Sequence, residues 1–165
     1  MKQKAFFKVS GDLFISSGFL RILKKLSEDY DLTICVGGGR QINQIFQSKG
    51  LTLTKHGPLG RELKLLKDKI LAKNILNKNK FILQKKLKEM KIHGEVIIPV
   101  IMIGSVLCHV NGDQFVRTAY IGFDKLFVIT TPDRKKKKEN EFKTLASKVK
   151  ILTVQSPNQL DSFKG

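Results

Sequence analysis

Short apolar runs alternate along the chain with stretches in which apolar residues recur every three or four positions. Ala5–Val9 predicts a strand that ends in the turn Ser10-Gly11-Asp12. Ser17 is the expected N-cap of a helix carrying Phe19, Leu20, Ile22, Leu23 and Leu26 on one face, with Lys24 and Lys25 opposite. Leu32–Val36 predicts a second buried strand. It runs into Gly37-Gly38-Gly39, and Ile42, Ile45 and Phe46 then mark a helix ending near Gly50. Leu51–Thr54 fits a short strand.

From Pro58 to Ile92 the spacing is helical, with one stripe at Leu63, Leu66, Ile70 and Leu71 and another at Phe81, Leu83, Leu87 and Met90. Lys78–Lys80 is the expected break between two helices. Val96–Ile103 and Val106–Val110 predict strands, Asp113 to about Gly122 a helix, and Leu126–Thr130 a further strand. Pro132 and the run Lys135–Lys138 read as a solvated loop, since blocks of like charge repel. A helix near Phe142–Ser147, a strand Lys150–Val154 and a helix from Pro157 complete the pattern. This alternation predicts an α/β fold, a mainly parallel sheet sandwiched between helices.

Composition narrows the class. At 165 residues and 41% hydrophobic, the chain can bury a real core and is not a disordered polymer. Its longest apolar run, Val96–Ile103, is too short for a membrane span. Met1–Lys8 lacks a signal-peptide core, and Cys35 and Cys108 lie inside apolar runs, so a cytoplasmic, reducing location is expected. The net charge of +17 favours anionic partners without choosing among them. Only five of the 31 basic residues are Arg, and a lysine bias also follows from base composition. With no Trp, two Tyr and no recognisable binding motif, a nucleic-acid partner is the weakest reading.

The chemistry concentrates at two strand ends that open into glycines. Lys8 precedes Ser10-Gly11 and Arg40 follows Gly37-Gly38-Gly39. Glycine lets backbone amides approach a ligand, a following helix presents its positive end, and strand carboxyl ends are where open α/β sheets bind ligands. Two such turns, each with a cation beside it, predict a polyanion held between them. Glycines after strands also make plain tight turns, and neither turn is a Walker A loop or a dinucleotide fingerprint. There is no metal-ligand spacing and no nucleophile triad; His56 and His93 sit in turn-like settings.

These turns, in this order, resemble the amino-acid kinase family, which includes acetylglutamate kinase, uridylate kinase and aspartokinase. Lys8–Asp12 is similar to the family's opening Lys-x-Gly/Ser-Gly turn, and Val36–Arg40 to its Gly-Gly-Gly turn. Pro99–Ile103 followed by Val110-Asn111-Gly112-Asp113 resembles the acetylglutamate kinase stretch Pro-Val-Ile-Ala-Pro then Asn-x-Asn-Ala/Gly-Asp. Gly60-Arg61 and Asn79-Lys80 fall where that branch has Gly-Leu-Arg and Asn-Lys. The strand Lys125–Thr130 follows at the family's distance, and Ile151–Gly165 is similar in outline to its closing strand and helix. The likeness is most continuous over residues 5 to about 133.

The resemblance implies the carbamate-kinase-like fold of this family, truncated toward the C-terminus, as a single domain over 1–165. Residues 1–112 would form the substrate side and 113–165 a shortened nucleotide side. It implies phosphoryl transfer from ATP, with Mg²⁺, to a small carboxylate or phosphate. Lys8 would stabilise charge on the transferring group, and Asp113 would hold lysines in place; as a residue type Asp113 also suits a helix N-cap. Ser10, Gly11, Gly37, Gly38, Gly39, Arg40, Arg61, His109 and Asn111 would contact substrate or phosphate, and Thr130, Thr131, Asp133 and Lys143 the nucleotide. Relatives commonly pair through helices, and Leu63–Leu76 is apolar enough for a homodimer or for pairing with a related kinase subunit.

Three departures stand against a complete kinase. His109 replaces the earlier Asn of the Asn-x-Asn-Gly-Asp pattern. The family's Thr-Asp-Val-x-Gly turn reads Thr130-Thr131-Pro132-Asp133-Arg134. The segment with Gly-Met-x-x-Lys is missing, leaving Lys143 or a member of Lys135–Lys138 as candidate substitutes. A catalytically degenerate ligand-binding or regulatory subunit is the alternative.

Overall fold

The computed structural model describes residues 2–53 and 56–155. Its elements are β1 (Gln3–Val9), α1 (Ser17–Leu26), β2 (Tyr30–Val36), α2 (Gly39–Ser48), β3 (Gly60–Arg61), α3 (Leu66–Glu89), β4 (Gly94–Ile97), β5 (Val100–Ile103) and β6 (Val106–Val110). After them come α4 (Gly112–Ala119), β7 (Lys125–Thr130), α5 (Lys135–Glu141) and β8 (Val149–Thr153), with short 3₁₀ turns at Pro132–Arg134 and Lys143–Leu145. The fold is α/β. Five strands make an all-parallel sheet in the order β4-β2-β1-β7-β8, and β3-β6-β5 make a small antiparallel sheet. Among the described residues no helix is long and apolar enough to cross a membrane.

The two-residue period of a strand decides what faces the site. On β1, Ala5, Phe7 and Val9 pack with Phe19 and Leu23 of α1 and Leu83 and Leu87 of α3. Phe6 points to the other face, where Val116 of α4 and Phe142 lie. Lys8, two residues on, therefore emerges on the α4 face, and Cys35 stands opposite it on β2. A third cluster joins Ile42 and Phe46 of α2 to Ala72, Ile75 and Leu76 of α3.

Several boundaries differ from the sequence expectation. Ser16, not Ser17, caps α1; its Oγ accepts from the Phe19 N–H at 3.3 Å. Residues 51–53 form no strand, and Thr54 lies outside the described residues, as does the helix expected from Pro157. The Pro58–Ile92 stretch is not helical throughout: β3 interrupts it, and α3 then runs unbroken through Lys78–Lys80. Those residues do not end the helix because Asn79 turns inward, onto the same buried stripe as Leu76 and Leu83. The apolar run Val96–Ile103 is two strands in two sheets. Pro99 has no N–H for a ladder, and the chain leaves the parallel sheet there.

Lys135–Lys138 is not a loop. Glu139 pairs with Lys135 at 3.7 Å and Glu141 with Lys138, so the acids that follow offset two of the four lysines at helical spacing. The helix expected near Phe142–Ser147 is one 3₁₀ turn, and the last strand starts one residue early, at Val149.

Candidate functional site

The two glycine turns and the start of α4 open onto one cleft of about 580 Å³. Gly37 N–H donates to the Val9 carbonyl at 2.8 Å, linking the ends of β1 and β2. Gln41 Nε2 donates to the Gly11 carbonyl at 2.6 Å, and Asn79 Nδ2 to the Gly37 carbonyl at 2.9 Å. Side chains from α2 and α3 thus hold both turns. Gly38, the N-cap of α2, makes no side-chain capping bond, so the helix start faces the cleft uncovered. A Cβ on Gly38 would crowd Leu76 Cδ2 and Asn79 Nδ2, at 2.8 and 2.9 Å.

Asp113 lies in the first turn of α4, where Asn111 is the N-cap: its Oδ1 accepts from the Asp113 N–H at 3.1 Å. The cap is therefore Asn111, which leaves the Asp113 carboxylate available to other groups. Lys8 Nζ sits 3.3 Å from Asp113 Oδ1, and Lys138 Nζ donates to Asp113 Oδ2 at 2.6 Å. Lys138 also donates to Glu141. Burial pulls the Asp113 carboxyl upward, but Lys8 and Lys138 outweigh it and hold it below the usual carboxylate range. Burial likewise opposes charge on Lys138, and its two carboxylate partners raise its pKa all the same.

Gly60 brings β3 against β6. Its φ is +152°, and a Cβ there would overlap the His109 carbonyl, so only glycine allows the approach. The pairing sets Arg61 beside His109. Arg61 is buried, its guanidinium reaches the Gly39 carbonyl at 3.5 Å, and burial works against its charge. His109 Nε2 faces the Lys69 carbonyl at 2.9 Å and must carry the proton to donate there. Burial lowers the His109 pKa, the bond to Lys69 opposes this, and nearby Arg61, Lys69 and Lys73 add to the lowering. The ring is thus neutral at physiological pH.

Lys8, Ser10, Gly11, Gly37, Gly38 and Gly39 all line the cleft, as do Arg40, Arg61, His109 and Asn111. Arg40 reaches Asp12 at 3.9 Å across the two turns. Asp113, expected to be catalytic, stands behind Lys8 rather than in the lining, and the four expected nucleotide contacts do not line it either. Thr130 is buried at the end of β7, Thr131 follows it, and Asp133 and Lys143 are exposed. Among the lining residues outside the expected set are Cys35, His56 and Arg134. Cys35 is buried with its thiol pushed up to about 12 by loss of solvent, an unreactive state. His56 pairs with Arg61, and partial burial with the charges of Arg61 and Lys8 lowers its pKa. Arg134 enters from the 3₁₀ turn after β7. Lys138 is one of four consecutive lysines in the sequence, and no local signal separates it from the others: Lys136, like Lys138, has a Glu three residues on. Among the described residues no group of His, Cys, Asp and Glu could hold a metal ion.

Compared with known families and with curated proteins, the chain matches no family model and no curated sequence.

Proposed function

We propose that the chain is an ATP-dependent phosphotransferase of the amino-acid kinase type, acting on a small carboxylate or phosphate. The observation that carries this reading is one carboxylate, Asp113, holding two lysines from different elements beside two glycine turns. Phosphoryl transfer needs little covalent help from protein; fixed positive charge and positioning carry most of the effect. Lys8, which lines the cleft, supplies that charge; Asp113, just behind the lining and tied to Lys138 of α5, fixes where Lys8 stands. The backbone amides of Gly11, Gly38 and Gly39 face phosphate oxygens, while the Gly37 amide is spent on the Val9 carbonyl; Arg61 holds the acceptor's anionic end, a task suited to its planar fork. Bound ATP would supply the phosphoryl group: the acceptor oxygen bonds to the γ-phosphorus as the bond to the bridging oxygen breaks, releasing ADP. A carboxylate or phosphate acceptor needs no general base, which agrees with the neutral, carbonyl-bound His109. The residues fit the polyphosphate, with cations and amides lining the cleft. Mg²⁺ would be held by phosphate oxygens and water, since Asp12 is the one carboxylate among the lining residues.

A second reading is a subunit of this type that binds anions without transfer. It is favoured by Thr130, Thr131, Asp133 and Lys143 lying off the cleft. The test is ATP turnover over a panel of acyl-amino acids and nucleoside monophosphates, with ATP binding by calorimetry. Turnover that Lys8→Ala abolishes is expected. ATP binding without turnover moves the protein to the second reading, and neither turnover nor ATP binding overturns the first.

A further inference from the structure

The cleft has two sides. Gly11, Gly37–Gly39 and Arg40 form one, and Arg134 comes from the opposite side of Lys8, after β7. Arg134 is the N-cap of α5 and stands four residues before Lys138. Residues at this spacing share one face of a helix. The bond from Lys138 to Asp113 therefore fixes which way α5 is turned, and so aims Arg134 at the cleft. Phe142, buried just after α5 under the Arg117 guanidinium at 5.2 Å, holds the same orientation from the other end.

Most of the neighbouring cations are paired; Lys136 and Lys137 are in none of the ion pairs among the described residues, and neither lines the cleft. Lys135 has Glu139, Lys138 has Asp113 and Glu141, and Arg40 has Asp12. Among the described residues no carboxylate pairs with Arg134, whose side chain is exposed to the cleft. An unneutralised guanidinium opposite the amides of two glycine turns marks where further negative charge would sit. From this, and resting on the phosphotransferase reading above, we infer that Arg134 is a polyphosphate-binding residue. It grips the non-transferred phosphates of the nucleotide from the α5 side while the glycine turns face the transferred one. Two donors in a fixed fork suit a diphosphate better than a single ammonium does.

The test is calorimetric titration of the wild type, Arg134→Ala and Arg134→Lys with ATP, ADP and inorganic pyrophosphate, beside steady-state kinetics with the acyl-amino acid or nucleoside monophosphate that the wild type turns over. Expected are binding of all three by the wild type and a loss of about tenfold in Arg134→Ala, the scale of a charge-assisted hydrogen bond. Arg134→Lys should fall between, and the acceptor KM should stay unchanged. Wild-type binding that Arg134→Ala leaves intact overturns this inference alone. Equal loss for nucleotide and acceptor also overturns it, since Arg134 would then act on the whole cleft. A wild type that binds neither ATP nor pyrophosphate removes the phosphotransferase reading and this inference with it. Equal melting temperatures of the three proteins separate lost binding from lost folding.

Discussion

Lys138 donates to Asp113 Oδ2 at 2.6 Å, across 25 residues of sequence, and by that bond joins α5 to the first turn of α4. Both side chains are largely buried, so the pair is shielded from the solvent screening that weakens surface ion pairs. Asp113→Asn, which removes the charge shared by Lys8 and Lys138, should cost about 2–3 kcal/mol near neutral pH, as breaking a mostly buried pair does. The pH dependence follows from the shifts. The Asp113 carboxyl lies below its unfolded-state value, so its contribution is present above about pH 4 and is lost as pH falls through the folded value. Lys138 lies above its unfolded value, so its contribution is present below about pH 10 and is lost as pH rises through the folded value. Urea unfolding of wild type and Asp113→Asn from pH 2 to 8 should show the difference shrinking only at the acid end. A constant difference would separate the carboxylate charge from stability.

Asn79 should matter more than a polar residue on a lysine-rich helix normally does. It is 5% exposed, and its Nδ2 serves the Gly37 carbonyl at 2.9 Å. Asn79→Leu keeps the branched outline of the side chain, adds some volume and removes the donor. The expected loss is about 1–3 kcal/mol from the unsatisfied carbonyl, with weaker binding of pyrophosphate because the turn Gly37–Gly39 loses its tether. Denaturation midpoints and calorimetry on the same variant measure both. Unchanged binding would show that the turn keeps its shape without α3.

Gly60→Ala tests the seating of Arg61. The backbone at φ +152° admits no L side chain comfortably, and the added methyl would overlap the His109 carbonyl. At least about 2 kcal/mol of destabilisation is expected, together with a raised KM for the acceptor and little change in ATP affinity. Equal effects on both ligands would mean that β3 supports the whole cleft rather than the acceptor end.

The alternation of short apolar runs with helical spacing was enough to establish the α/β class and all but one of the parallel strands, because buried strands and amphipathic helices are local patterns. It also marked the two glycine turns and the cations beside them. The short β4 was legible only as part of Val96–Ile103, since apolar content cannot tell where a chain changes sheets; Pro99 decides that by lacking a donor. Lys135–Lys138 read as a loop because charge was weighed without the glutamates that follow. Which lysine would face Asp113 was beyond any local pattern. Lys138 was one of four consecutive lysines, and it is singled out by the packing of α5, by Phe142 beneath it and by a carboxylate 25 residues earlier in the chain. Local patterns sufficed for most of the parallel strands, the amphipathic helices α1 and α2 and the glycine-rich strand ends, but not for β3, α5 or the unbroken length of α3. The tertiary structure alone decided the pairing of charges, since an ion pair depends on distance in space and the burial that keeps water from screening it.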